Sequence, residues 1–366
     1  MKAARYHGRL DIRIEDVPVP VPADDDVLLE VAAVGICGTD AAEFAHGPTM
    51  FPVDHRHPVT GHRGPMVPGH EFSGRVVATG RDVSGFAEGD LVSSGAGVSC
   101  AVCPNCRAGR TNLCDRYFTI GLNRDGALAE LAAVPARACV GLAERHLTGD
   151  VAAMAQPMSI AVHAMRRGRP AADEQAVVIG AGGIGAFLVY ALARHGTDVT
   201  AVDLDGDRLA VATELGAART LQTTSAAPLD DQLAVLDSRP TVVYECTGHA
   251  AAAPAAVGLV ERGGRVVIVG LHKHPVPVDL LSVSLDEKEL IGTLAHVMGA
   301  DLGLAVDLLE DGRGALWNRV APVVVPLEEV VSAGLRPMIE GGETPIKLLL
   351  DPHIDVRRPL RAMVDE

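Results

Sequence analysis

The chain reads as an α/β protein in which a parallel, doubly wound sheet is inserted into a β-rich domain. Three observations predict this. Between Ala176 and Leu294, apolar runs of strand length alternate with segments of helical spacing, as a parallel sheet covered by helices requires. Gly180-Ala181-Gly182-Gly183-Ile184-Gly185 stands at the first strand-to-helix junction of that region, the context that gives a G-x-G-x-x-G pattern its meaning. On both sides of the region the pattern changes to strands and turns.

The elements follow in order. Leu10, Ile12 and Ile14 alternate with polar residues, so a half-buried strand is expected there. Prolines punctuate Val17 to Pro22. Val27–Val34, Phe72–Val77 and Asp90–Ser93 read as further strands. Between the first two lies a stretch rich in Pro, Gly and His, Gly47–Pro68, expected to be an irregular loop; loops of that length usually serve function. In the middle region, Ala176–Gly180 is a buried-strand run. Ile184, Leu188 and Leu192 then recur at helical spacing, and Gly196 offers a helix stop. Asp198–Asp203 is the second strand and Arg208–Leu215 the second helix. Arg219–Leu221, Thr241–Glu245, Arg265–Gly270 and Glu289–Leu294 complete six strands. After about Ala300 mixed structure returns, with strand candidates at Val323–Val325 and Ile346–Leu350.

Composition bounds the function. With 366 residues the chain is long enough for two domains. Aromatic residues are only 3%, so the core must be built of Ala, Val, Leu and Ile. The formal charge is -15 and no basic run appears, which argues against nucleic acid and anionic membranes as partners. No apolar run reaches the length of a membrane span. The segment Met1-Lys2-Ala3-Ala4-Arg5-Tyr6 has no apolar signal region, so a cytoplasmic protein with reduced thiols is expected.

Four cysteines stand at Cys100, Cys103, Cys106 and Cys114, spaced C-x2-C-x2-C-x7-C. Four thiolates on one short lobe can close a tetrahedron around Zn2+ with no open position, which suits a structural site. Gly95, Gly97, Pro104 and Gly109 let the lobe fold back on itself. Two disulfides are the alternative, disfavoured in a reducing compartment.

The glycine turn is expected to hold a dinucleotide. Gly180 permits the tight turn, Gly182 lets a pyrophosphate approach the backbone beside Gly183 and Ile184, and Gly185 lets helix and strand pack closely. The anion then meets free N–H groups at a helix N-terminus. Asp203 lies 23 residues after Gly180, at a strand end. Its carboxylate can accept both ribose hydroxyls of NAD and would repel the extra phosphate of NADP. No Arg or Lys follows until Arg208, so nothing nearby is expected to neutralise that phosphate, and NAD is preferred.

A second set of metal ligands is looser. Cys37 stands in Gly35-Ile36-Cys37-Gly38-Thr39-Asp40, and His70 and Glu71 in Gly69-His70-Glu71-Phe72. Thiolate, imidazole and carboxylate all bind zinc, and three protein ligands leave a position open for substrate. His46, His55, His57 and His62 crowd the long loop and read as solvated residues, with metal or substrate binding as the alternative. His163, Cys139 and Cys246 read as core or strand-end residues.

These motifs together resemble the zinc-dependent medium-chain alcohol/polyol dehydrogenases. The resemblance spans nearly the whole chain: the segments starting at Gly35 and Gly69, the four-cysteine lobe, Asp125–Glu130, the glycine turn, and Ile346-Lys347. Within that family the chain is most similar to the sorbitol and 2,3-butanediol dehydrogenase branch, and Gly47–Pro68 resembles the longer loop of butanediol dehydrogenases.

The resemblance implies a GroES-like catalytic domain over 1–155, with its structural zinc lobe at 95–115, a Rossmann NAD-binding domain over 156–298, and a return of the catalytic domain over 299–366. It implies hydride transfer between NAD(H) and a small secondary alcohol, vicinal diol or polyol. Two alternatives stay open: a biosynthetic dehydrogenase of a sugar or cyclitol intermediate, and a non-catalytic nucleotide-binding relative. Cys37, His70 and Glu71 would surround a catalytic zinc. Thr39 would relay the alcohol proton, and Asp40 would orient His70. Cys246, Thr247 and Val269 would line the cofactor, with Lys347 near its pyrophosphate. Phe118 and His296 would line the substrate pocket. Gln156 departs from the family pattern, which has Glu before the proline; a neutral amide there makes the metal site less negative. A homodimer or homotetramer is expected from the same resemblance.

Overall fold

The computed structural model describes residues 1–236, 239–312 and 316–362. Two units result: Met1–Ser159 together with His296–Glu366, and Ile160–Ala295. The expected carboxy-terminal segment 299–366 includes residues 313–315 and 363–366, which lie outside the described residues.

The first unit opens with an antiparallel hairpin, β1 (Lys2–Gly8) and β2 (Asp11–Asp16). The alternation at Leu10–Ile14 announced only its second strand. β3 (Asp26–Gly35) is the hub of the unit. It pairs antiparallel with β4 (Glu71–Thr79), which in turn pairs with β5 (Leu91–Ser94). The small strands β6 (Gly97–Val98) and β7 (Phe118–Thr119) pair with each other. β8 (Leu131–Pro135) adds to β3, and β9 (Cys139–Gly141) adds to β5. Neither was expected, because an Ala-rich run such as Leu131-Ala132-Ala133-Val134 carries little period-2 signal. Gly47–Pro68 is irregular, as expected; Met66 alone bridges back to Tyr6.

The second unit is a six-stranded parallel sheet. β10 (Gln175–Ile179), β11 (Asp198–Asp203), β12 (Arg219–Gln222), β13 (Val242–Glu245), β14 (Arg265–Ile268) and β15 (Glu289–Gly292) lie in the order β12-β11-β10-β13-β14-β15. The order reverses at β10, so a crevice opens at the carboxyl ends of β10 and β13. Helices Gly183–His195 and Gly206–Glu214 follow β10 and β11. The core on one face includes Val177, Ile179, Val202, Val243 and Val266. Branched aliphatic residues buried on both faces are what a parallel sheet demands.

The chain then returns to the first unit. β16 (Val323–Pro326) and β17 (Leu349–Asp351) run parallel, β18 (Arg358–Pro359) caps β16, and β17 pairs antiparallel with β3 through Leu349–Gly35 and Leu350–Val34. This pairing matters for the chemistry. It sets Lys347 beside the end of β3, where the Cys37 segment begins. The core of the unit joins Val27, Val31, Phe72 and Val92 to Val325 and Leu350.

Candidate metal and nucleotide sites

Cys37 ends the irregular link after β3, and the helix Gly38–His46 starts directly behind it. Asp40 lies in the first turn of that helix and reaches back, accepting the Cys37 backbone N–H at 3.0 Å. His70 and Glu71 stand at the start of β4, which pairs with β3 through Glu71–Gly35. Register alone therefore brings the two motifs together. The ligand atoms of Cys37, His70 and Glu71 lie within 4.8 Å of one another. Asp40 Oδ1 is 3.5 Å from His70 Nδ1, an ion-pair separation rather than a short hydrogen bond. Thr39 Oγ1 is 3.8 Å from Cys37 Sγ.

The electrostatics of this cluster call for a cation. His70 is wholly buried, and burial pulls its imidazole pKa down. The charges of Asp40 and Cys37 outweigh that and hold it well above the ordinary histidine value. A pocket that stabilises an imidazolium this way suits a bound Zn2+, which would leave the imidazole neutral and ligating.

Glu71 has a second partner. Lys347 Nζ donates to its Oε2 at 2.7 Å and its Oε1 at 2.9 Å, and also to the Ile36 carbonyl at 3.3 Å. Both side chains are buried. The carboxylate fits here because Gly35 has no side chain; a Cβ there would sit 2.5 Å from Glu71 Oε2. Lys347 was expected near the cofactor's pyrophosphate. The structure places it on Glu71, because a buried carboxylate demands a counter-charge. Gln156 is buried in the first turn of the helix Ala155–Gly168, and its backbone carbonyl accepts the Ser159 hydroxyl at 2.6 Å.

His296 is also buried, with Nε2 3.2 Å from Met298 Sδ. Its ring packs on Gly95, where a Cβ would meet Nε2 at 2.5 Å. Gly95 lies one step past the Ser94–Phe72 pair of the β5–β4 ladder, level with Glu71. Phe118 packs half-buried on the core and lines a cavity of about 760 Å3 with Arg5, Val17, His62 and Arg124. Cys37, His70 and Glu71 form no part of that wall.

The four lobe cysteines also converge, with sulfurs within 4.8 Å of one another. All seven cysteines are free, and Cys103 and Cys106 sulfurs stand 3.5 Å apart, far beyond a disulfide bond. Backbone N–H groups point at the sulfurs: Cys103 N at Cys100, Cys106 N at Cys103, and Cys100 N and Arg116 N at Cys114, over 3.2–3.5 Å. Such donors favour thiolate. Backbone donation from Val102 and Cys103 brings the Cys100 thiol down to about 6, whereas burial pushes Cys114 up to about 11. Among the described residues these are the two clusters of His, Cys, Asp and Glu with metal-binding geometry, and neither includes His46, His55, His57 or His62. His57 instead caps its own turn, its Nδ1 accepting the Thr60 N–H at 3.1 Å.

In the second unit, Gly180 follows β10 at φ +96, a left-handed conformation that favours glycine. A Cβ on Gly185 would lie 1.7 Å from the Gly180 carbonyl oxygen, so only glycine lets the helix pack this close. Asp203 ends β11, and its Oδ2 accepts the Ala181 N–H at 2.7 Å. The carboxylate is thus tied to the turn itself. Thr247 packs on the turn from the other side, 2.7 Å from where a Gly180 Cβ would be. Cys246 continues the β10–β13 ladder, its N–H donating to Ile179 at 2.9 Å, and Val269 N–H donates to the Glu245 carbonyl at 2.8 Å. One residue was underrated. Arg208 lies 3.4 Å from a Cβ position at Gly182 and 3.6 Å from Asp205. No cation close to Asp203 was expected to neutralise a 2′-phosphate, yet Arg208 stands beside Gly182. The first helical turn after β11 folds Arg208 back onto it, a placement that its spacing of five residues from Asp203 already allowed.

Comparison with known proteins agrees with this geometry. Residues 23–144 match the alcohol dehydrogenase GroES-like domain, and residues 183–311 the zinc-binding dehydrogenase family. The chain is 32% identical over 358 residues to the (R,R)-butanediol dehydrogenase of Neisseria gonorrhoeae, covering 97% of this chain and 100% of that one. It is 32% identical over 350 residues to the sorbitol dehydrogenase of Rattus norvegicus, covering 91% and 94%. The crystal structure of 2R,3R-butanediol dehydrogenase from Bacillus subtilis matches the fold with a TM-score of 0.87 at 27% identity, over 96% of this chain and 99% of that one. The chain therefore belongs to the zinc-dependent medium-chain alcohol/polyol dehydrogenases, and it is an oxidoreductase that uses zinc and a nicotinamide cofactor on a small alcohol or polyol.

Proposed function

We propose that the enzyme interconverts a small secondary alcohol, vicinal diol or polyol with its carbonyl, using NAD in preference to NADP and two zinc ions per chain. The convergence of Cys37, His70 and Glu71 from two separate motifs carries the reading. When bound, zinc lowers the pKa of an alcohol hydroxyl and the nicotinamide accepts the hydride. The protein's own residues do the rest. Cys37 and His70 hold the reactive metal. Asp40 fixes the imidazole, leaving the other nitrogen for ligation. Thr39, beside the Cys37 sulfur, relays the hydroxyl proton onward toward solvent, accepting it as its own proton is passed on. Glu71 carries charge near the metal, and Lys347 offsets it.

With that pair neutral and Gln156 uncharged, the only uncompensated negative ligand is Cys37. Counting Asp40 beside His70, a zinc-loaded site totals about zero, less negative than with a further carboxylate at position 156, which favours an ionised alcohol. His296, held level with Glu71, is our choice for a substrate-facing hydrogen-bonding group. Cys100, Cys103, Cys106 and Cys114 hold the structural zinc. Asp203 supports the NAD preference, since its carboxylate stands at the strand end beyond the glycine turn.

A homo-oligomer is supported by β15. It is the edge strand of its sheet, carries exposed Leu290, is followed by exposed Leu294 and is preceded by the helix Leu280–Leu285, whose Leu280, Leu281 and Leu285 are exposed. An exposed apolar edge favours pairing with a second copy. Free cysteines throughout fit the cytoplasm. The test is a panel of diols, acyclic polyols and aldoses with NAD and NADP side by side, read at about 340 nm, the absorbance of the reduced nicotinamide. Turnover of none of them would overturn the reading.

A further inference from the structure

β13 ends in Glu245, a carboxylate with no exposure at all. A charge so buried must be met on every side. Its Oε1 accepts the Thr247 N–H at 2.7 Å, the Thr247 hydroxyl at 2.5 Å and the Gly248 N–H at 2.9 Å. Its Oε2 faces His272 Nε2 at 2.9 Å. Its carbonyl accepts both Val269 N–H and Gly270 N–H at 2.8 Å. One residue thus ties together two turns: Cys246-Thr247-Gly248 after β13, and Val269-Gly270-Leu271-His272 after β14. The turns touch, since a Cβ on Gly270 would fall 2.1 Å from the Gly248 nitrogen. His272 supplies the side-chain contact from the second turn.

The strand order says what these turns serve. In a doubly wound sheet the dinucleotide crosses the carboxyl edge at the reversal point. The pyrophosphate meets the turn after β10, and the adenosine lies toward β11 and Asp203. The turns after β13 and β14 lie on the opposite side of β10. They are left with the nicotinamide half.

We infer that His272 is a positioning residue for the nicotinamide half of the cofactor, acting through Glu245 to hold both turns in register. The inference rests on the nucleotide-site reading above. His272 faces the carboxylate rather than the cofactor, so it fixes the backbone that the nicotinamide meets.

The test separates the two halves of the cofactor. Binding of NADH and of ADP-ribose, which lacks the nicotinamide, is measured by calorimetry for the parent, His272→Ala and His272→Gln. Gln carries an amide donor near the Nε2 position. Without this tie the two turns are less preorganised, and ordering them on binding is expected to weaken NADH roughly tenfold. His272→Ala should therefore raise the NADH Kd about tenfold and leave the ADP-ribose Kd within about twofold, and His272→Gln should recover most of the NADH affinity. Retained ADP-ribose binding also shows that the variant is folded. Equal weakening of both ligands, or of neither, overturns the inference. A parent protein that binds neither ligand would instead refute the nucleotide-site reading itself.

Discussion

Removal of Lys347 is the sharpest probe of the metal pocket. The Lys347–Glu71 pair is fully buried, with two N–H···O contacts at 2.7 and 2.9 Å. Lys347→Met keeps the length of the side chain and removes its charge, leaving the Glu71 carboxylate without its partner. Breaking a buried ion pair from one side costs about 3–5 kcal/mol. For a unit of this size that corresponds to a drop of roughly 6 to 20 °C in the melting temperature of metal-free protein. Zinc should recover part of the loss, because a cation at Cys37 and His70 gives Glu71 a new counter-charge. The double variant Lys347→Met, Glu71→Gln should be more stable than either single one, since no buried charge remains unpaired.

The pH dependence follows from Lys347. Burial pulls its pKa down, but the charges of Glu71 and Cys37 prevail and raise it above the ordinary lysine value. A raised folded value means the stabilisation is complete below the unfolded pKa, about 10.4, and is lost only as pH climbs past it. The difference between parent and variant should therefore be flat from about pH 7 to 9. Thermal unfolding with and without chelator measures it. A metal-free Lys347→Met protein that melts within about 2 °C of the parent would refute the reasoning.

Three further outcomes are expected. Gly185→Ala forces a Cβ to 1.7 Å from the Gly180 carbonyl, so helix and turn must separate; NADH affinity should fall at least about tenfold by fluorescence titration, and unchanged affinity would count against the turn as nucleotide site. Asp203→Ser removes the charge that opposes a 2′-phosphate and leaves Arg208 beside the turn, so the ratio of kcat/KM for NADP over NAD should rise at least about tenfold; no rise would place cofactor choice elsewhere. In zinc-stripped protein at about pH 7, Cys100 with its thiol brought down to about 6 should be alkylated before Cys114, which burial holds up at about 11; peptide mass spectrometry reads the order, and the reverse order would contradict the backbone donation seen at Cys100.

The second unit was legible in the sequence because parallel strands and their helices are local. β10, β13 and β14 hold short apolar runs, and Gly180 and Gly196, both at positive φ, mark turns that only a few residues decide. The first unit was less so. β8 and β9 are Ala-rich or short, and their stability comes from pairing with β3 and β5 across long stretches of chain. The four-cysteine lobe showed in its spacing, whereas Cys37, His70 and Glu71 stood out only through their joint occurrence with the lobe and the glycine turn. The partnership of Lys347 with Glu71 did not, since it depends on β17 pairing with β3 across some three hundred residues. Arg208 was judged by sequence distance, although one turn of helix brings it to Gly182. The alternative of a non-catalytic relative is set aside by the family match and the named dehydrogenase relatives.

Zinc content, measured together with turnover on one preparation, tests the central claim most directly. The account predicts two zinc ions per chain in the active parent. Cys37→Ser should hold one, bind NADH as the parent does, and show no oxidation of any alcohol the parent oxidises. A Cys37→Ser protein that keeps full turnover, or an active parent carrying no zinc beyond the four-cysteine lobe, would contradict it.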